Sequence, residues 1–174
     1  GWLASIGFHD FAGSTLVHST GGAAAFAGIM ILGPRFGRFT KSGVPTPIKP
    51  FAASSIPLVT IGVFVLWLGW FGFNGGSQLA LGSFTDAVSI STIFINTNLA
   101  ACGGVLAAAV VTRLMFGKTD VIQMLNGAIG GLVAITAEPL APSPLTAILI
   151  GSVGGIIVVF GTKLLFSYKL DDVV

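Results

Sequence analysis

Apolar residues run through this chain in long unbroken blocks rather than in the alternating or one-faced patterns of a water-soluble fold. Five blocks free of Asp, Glu, Lys and Arg separate at polar loops: Phe11 to Gly33, Phe51 to Phe73, Ala87 to Thr112, Val121 to Ala137 and Leu145 to Thr162. A helix needs about 20 apolar residues to cross roughly 30 Å of hydrocarbon. Four blocks fit that length, and the fourth in order is at its short end. The runs are continuous, whereas barrel strands alternate, and in lipid the backbone must satisfy its own hydrogen bonds. The pattern predicts an all-α membrane protein, a polytopic transmembrane helix bundle with about five spans.

Composition agrees. Of 174 residues, 53% are hydrophobic and 8% charged, with a mean hydropathy of +0.96, against roughly 25% charged residues in soluble domains. The net charge is +2, and its basic residues are spread over short loops, which sets nucleic-acid binding aside. Arg35, Arg38, Lys41 and Lys49 follow the first block, Arg113 and Lys118 the third, Lys163 and Lys169 the fifth. With alternate crossings all of them fall on one side, and the positive-inside rule makes that side cytoplasmic. Asp10, Asp86 and Glu138 then face out, and the expected location is the cell membrane, crossed several times. No basic region precedes an apolar stretch at the start, so no cleavable signal is read there; the opening looks like a cut in a longer protein. The lone Cys102 has no partner for an internal disulfide and suits small-residue packing.

Against this background a few polar residues stand out. His18 follows Phe11 by seven positions, which places it roughly 10 to 12 Å into the first span. An ionisable group at that depth faces a bundle interior or a water-filled path, or is a neutral histidine bonded to a neighbouring helix. Asp10 suits either a helix N-terminal cap or the attraction of a cation. Trp67, Trp70, Phe71 and Phe73 crowd the end of the second span, followed by Asn74 and Ser77. They read either as an interfacial aromatic belt or as a place for a small hydrogen-bonding cation. Asn96, Thr97, Asn98 and Asn126 read as interhelical hydrogen-bond partners, and the many Gly and Ala residues as close helix contacts.

Several chemistries drop out. "GKT" at 117–119 lacks the first P-loop glycine, because Thr112 stands there. His9 and His18 have neither the spacing nor the company of a zinc site. No nucleophile, base and orienting acid meet at compatible depths. Neither an enzyme, a metal site nor a cofactor is expected.

Four stretches taken in order, "DFAGSTLVH" with its Gly and Ala run, "GWFGFNGGS", "NTNLAA" and "NGAIGGLVAITA", resemble the ammonium transporter family, whose distant relatives are the Rh proteins. The resemblance covers essentially the whole chain. It implies eleven transmembrane helices in an inverted repeat, trimers with one pore per subunit, and a chain that corresponds to the fifth through ninth helices, half of the repeat that forms the pore. By the same resemblance His18 matches the first of two facing pore histidines, and the second would follow "LDDVV" by about six residues. Asp10 matches a carboxylate near the outer recruitment site, Phe73 one of two stacked phenylalanines closing the outer pore, and Ser77 the serine that contacts ammonium. Two departures are a serine, Ser14, where many members have glycine, and "AEPLAPSPL" in place of a loop that often carries cysteine and glycine.

What this implies is recruitment of ammonium at the outer aromatic and serine site, deprotonation, passage of NH3 (methylammonium being an alternative substrate), and proton relay along paired imidazoles. Potassium has neither an N–H to donate nor a proton to shed. The expected partners are ammonium or ammonia, the lipid bilayer and two further copies in a homotrimer, with a cytoplasmic signalling domain or regulatory protein as a further candidate. The alternative function is an ammonium sensor fused to such a signalling domain, which binds rather than conducts. The rest of the domain is expected outside this chain, completing the open side of His18.

Overall fold

The computed structural model describes residues 1–39 and 53–171. Lys41, Lys49, the first two positions of the second apolar block and the end of "LDDVV" lie outside the described residues. A short helix α1 (Trp2–Ser5) is followed by a π-helical stretch, Ser14–Ser19, which continues directly into α2 (Thr20–Leu32). Then come α3 (Ile56–Gly76), α4 (Phe84–Phe116), α5 (Val121–Ile135) and α6 (Pro144–Ser167).

The helix starts are written in polar side chains. The Ser55 hydroxyl accepts from Leu58 N, the Asp120 carboxylate from Gln123 N at 3.1 Å, and the Ser143 hydroxyl from Thr146 N at 3.3 Å. Ser83 and Asp86 form a capping box: Ser83 Oγ accepts from Asp86 N at 3.1 Å, and Asp86 Oδ2 accepts from Ser83 N at 3.1 Å. Such caps satisfy the N–H groups that a first turn leaves unpaired. They also correct the expected boundaries. Asp86 marks the end of an apolar block, yet it belongs to α4 because its carboxylate folds back on the cap. At the other end Arg113 stays helical while its Nη1 donates to Gly117 O at 2.6 Å, and Gly117 ends the helix at φ +73°. The expected Ala87 to Thr112 therefore becomes 33 residues, about 50 Å of helix.

Among the described residues four helical runs are long and apolar enough to cross a membrane: Ser14–Leu32, Ile56–Gly76, Phe84–Phe116 and Pro144–Ser167. α5, with 15 residues, is about 22 Å long, shorter than the expected Val121 to Ala137. The protein is a helical membrane protein, and α4, α5 and α6 form its packed centre. A β-carbon on Gly151 or Gly131 would run into the carbonyl of Ala100, one on Gly155 into that of Gly104, and one on Gly104 into that of Gly127. With lipid as solvent, close packing rather than hydrophobic drive holds helices together, and only glycine admits these approaches. Ile93, Leu132, Ile135 and Val159 fill the remaining space. α3 lies along α4 and α5, while α2 leaves Met30, Ile31 and Leu32 exposed.

Candidate functional site in the α2, α3 and α5 region

The segment before α2 is built around Asp10. Its carboxylate accepts three backbone N–H bonds, from Ser14 at 2.8 Å and from Thr15 and Leu16 at 3.0 Å each. A full negative charge therefore sits on the positive end of the π-helical turn, where unpaired N–H groups and the helix dipole both favour it. Gly13 makes the geometry possible. It is buried with φ +98°, and a β-carbon there would stand 3.0 Å from Val17 Cγ2. "DFAG" thus encodes a carboxylate, a two-residue bend and a left-handed corner. The same segment is fastened to the C-terminal end of α5. Phe11 N donates to Ala137 O at 2.7 Å, Ala12 N to Thr136 O at 3.1 Å, and Ser14 Oγ to Val133 O at 2.9 Å. Ser14 thus has a side-chain bond of its own. His9 Nε2 adds a contact of 2.9 Å to Glu138 Oε2.

His18 lies in the last turn of the π-helix and is half-buried. Its imidazole stacks on the Trp70 indole, with centroids 5.1 Å apart and planes inclined by 17°. Phe73 closes the group, 5.8 Å from His18 and 6.0 Å from Trp70 in an edge-on arrangement. His18, Val65, Leu66, Gly69, Trp70 and Phe73 line a cleft of about 250 Å³. Within it His18 Nε2 is buried and has no hydrogen-bond partner among the described residues. Trp70 lies six residues from the end of α3, about 9 Å along its axis, so the imidazole is inside the apolar zone. Its face is indole, and its neighbours are hydrocarbon.

Ser77 stands one turn beyond Phe73, as the cap residue of α3, and its hydroxyl donates to Phe73 O at 2.8 Å. With its proton so committed, the oxygen offers only lone pairs, which suits an N–H donor. The four residues singled out in the sequence thus divide. His18 and Phe73 are brought into ring contact, Ser77 follows one turn along α3, and Asp10 shapes the turn that carries His18.

Thr136 is the residue that sequence reasoning missed, while Trp70 was named only as one of four aromatic residues that could form a belt or face a small cation. The aromatic cluster does not form one belt. Trp67 stacks on Phe64 and lines a separate apolar cleft of about 480 Å³ with Thr60, Val63 and Cys102, whereas Trp70 turns to His18. A signal was present: Trp70, Phe73 and Ser77 are spaced i, i+3, i+7, which is one helix face. The Trp70 Nε1–H donates to Thr136 Oγ1 at 2.8 Å, and Thr136, fully buried, donates in turn to Leu132 O at 2.7 Å. Of the four polar residues expected to join helices, Thr97 does so and Asn96 instead ties α4 to the loop between α5 and α6. Asn96 Nδ2 donates to Pro139 O at 3.0 Å and Pro142 O at 2.8 Å, and Asn74 Nδ2 donates to Thr97 Oγ1 at 3.0 Å. Asn98 and Asn126 stand on exposed faces instead, because a helix buries only one stripe and their positions fall outside it. No group of three or more His, Cys, Asp or Glu that could hold a metal occurs among the described residues.

The sequence matches the Ammonium Transporter Family over residues 1–174. The chain belongs to that family. A Synechocystis relative that carries an ammonium transporter name is 46% identical over 174 residues, covering 99% of this chain and 38% of its own length. Ammonium transporter Amt2 of Archaeoglobus fulgidus is 42% identical over 184 residues, covering 100% of this chain and 38% of the relative. Among solved structures, a sensor Amt protein superimposes with a TM-score of 0.89 at 36% identity, over 99% of this chain and 41% of that one. The crystal structure of Candida albicans Mep2 does so with a TM-score of 0.79 at 33% identity, over 98% and 35%. The chain thus spans about two fifths of the length of the family members it matches.

Proposed function

We propose that the protein to which these residues belong moves ammonium nitrogen across the cell membrane, with the Asp10 end of the bundle outside and the basic loops in the cytoplasm. The observation that carries this reading is the buried Nε2 of His18, without a hydrogen-bond partner among the described residues and set on an indole face in an apolar cleft. A buried polar atom without a partner costs about 1–3 kcal/mol. A second imidazole supplied by another segment, or a passing ammonia, would remove that cost. A bare cation is expensive at this depth, whereas NH3 is neutral and can both donate and accept. Neutral imidazole likewise donates at one nitrogen and accepts at the other, so a pair of them can carry a proton past the uncharged substrate.

In this scheme the cation is first held near Ser77, whose oxygen is presented as an acceptor, beside the ring of Phe73, which attracts positive charge by about 0.5–2 kcal/mol. Asp10 holds the turn of His18 and adds negative potential. Deprotonation follows, NH3 enters the cleft, and His18 with its partner imidazole relays the proton. Potassium offers no N–H to Ser77 and no proton to release. The assembly in this reading is a homotrimer with one path per subunit.

A second reading is supported by the superposition on a sensor Amt protein: the same site would bind ammonium and report it to a cytoplasmic signalling domain or regulatory protein. One experiment separates the two. The full-length protein is placed in liposomes with an internal pH dye and given an inward ammonium gradient. Conduction gives a pH transient that grows with protein density. Saturable ammonium binding without a transient supports the sensor, and neither binding nor transient refutes both.

A further inference from the structure

The site has a joint that neither its substrate contacts nor its cap explains. Thr136, the residue that follows α5, is fully buried and holds three partners at once. Its carbonyl accepts from Ala12 N at 3.1 Å, on the segment that leads into His18. Its hydroxyl accepts from Trp70 Nε1 at 2.8 Å, on α3, and donates to Leu132 O at 2.7 Å, on α5 itself. The direction of these bonds is unambiguous, because an indole N–H can only donate and a carbonyl can only accept. The hydroxyl proton is therefore committed to Leu132 and the lone pair to Trp70.

The two rings that stack, imidazole and indole, come from chain segments far apart in sequence, and both are referred to this one residue. An indole on a flexible two-torsion side chain could slide or turn in a cleft of about 250 Å³. Its single polar atom fixes the rotation of the ring about its attachment, and with it the 17° inclination to His18. We propose that Thr136 is a positioning residue of the conduction path: through Trp70 it sets the orientation of the His18 imidazole, and hence where the Nε2 lone pair or proton points. This rests on the reading of His18 as a relay group. Thr136 itself does not line the cleft.

The test uses the full-length protein with Thr136→Val, which keeps shape but removes the hydroxyl, and Thr136→Ser, which keeps the hydroxyl but removes a methyl group. Two readouts are taken: ammonium-driven pH transients in liposomes over a range of concentrations, and the imidazole 15N NMR signal of His18 in each variant. Misplaced relay geometry is expected to lower the maximal rate about tenfold in Thr136→Val with the half-saturating concentration unchanged. Thr136→Ser should stay within about twofold of the parent, and the His18 signal should move in Val but not in Ser. Equal losses in both variants, or a full rate in Thr136→Val, would overturn the proposal. Should Thr136→Val fail to assemble, Thr136→Ala gives the same decision: it must show the rate loss and the shift of the His18 signal that Thr136→Ser does not, and a full rate in Thr136→Ala would overturn the proposal. If the unaltered protein gives no transient, the transport reading fails, while the NMR comparison still decides whether Thr136 governs His18.

Discussion

Removing the Asp10 carboxylate separates two roles that the same charge could play. Asp10→Ala deletes the acceptor of three N–H bonds, those of Ser14, Thr15 and Leu16. Hydrogen bonds to a charged group contribute about 1.5–3 kcal/mol each when buried. Here only the Ser14 bond is partly buried and the other two are exposed, so water takes over much of their work. The net loss should be about 2 kcal/mol, at the upper end for a helix cap. Asp10→Asn keeps an amide oxygen in place but loses the charge that favours the helix N-terminus, and should cost about 1 kcal/mol. Hydrogen exchange measured by mass spectrometry on the segment 13–18 reads this directly. Exchange there should be about 30-fold faster in Asp10→Ala and about fivefold faster in Asp10→Asn. If the cap is what matters for function, ammonium conduction should fall in the same order, Ala below Asn. It should also respond little to salt, because the bonds are local. A pure field effect on the approaching cation would instead make the two variants equal and fade as ionic strength rises past the point where the screening length is about 8 Å. Unchanged exchange in Asp10→Ala would refute the cap altogether.

Other consequences follow from the packing and the site. Gly151→Val places a side chain into the Ala100 carbonyl, which backbone cannot yield cheaply. Thermal unfolding in detergent should show a loss of more than about 3 kcal/mol, and a neutral result would mean that α4 and α6 do not meet as described. Asn96→Ala removes the bonds to Pro139 and Pro142 carbonyls and leaves both unpaired; a stability loss of about 2–3 kcal/mol is expected, with faster proteolysis at 138–143 as its local sign. Ser77→Ala removes the acceptor beside Phe73 and should raise the half-saturating ammonium concentration about tenfold while leaving the maximal rate nearly intact. A change in maximal rate alone would place Ser77 elsewhere in the path.

Much of the architecture was legible because lipid leaves few choices. A run without charge that reaches spanning length has to be helix, and the placement of His18 inside such a run is visible by inspection. The ends were harder to read. Asp86 and Arg113 looked like limits because charge was equated with water, but one folds onto a cap and the other bonds the chain end. The π-helical turn at Ser14–Ser19 is invisible to any count of apolar positions, since it comes from Gly13 and the carboxylate of Asp10 acting together. Thr136 escaped notice for a different reason. A threonine at the end of an apolar helix is ordinary in sequence, and its importance exists only once α3 and the segment before α2 arrive at the same point. Trp70 was hidden among other aromatic residues until the structure sent Trp67 and Trp70 to different clefts.

The central claim is that the unpartnered His18 nitrogen is a working part of an ammonium path. The measurement that tests it most directly is the ammonium-driven pH transient of the full-length protein in liposomes, compared between the parent and His18→Ala at matched protein density, with potassium as the competing cation. The account predicts that the transient falls by about 100-fold or that discrimination against potassium collapses, with the assembly state and melting profile of the parent preserved. A His18→Ala protein that conducts ammonium at the parent rate and with the parent selectivity would contradict it.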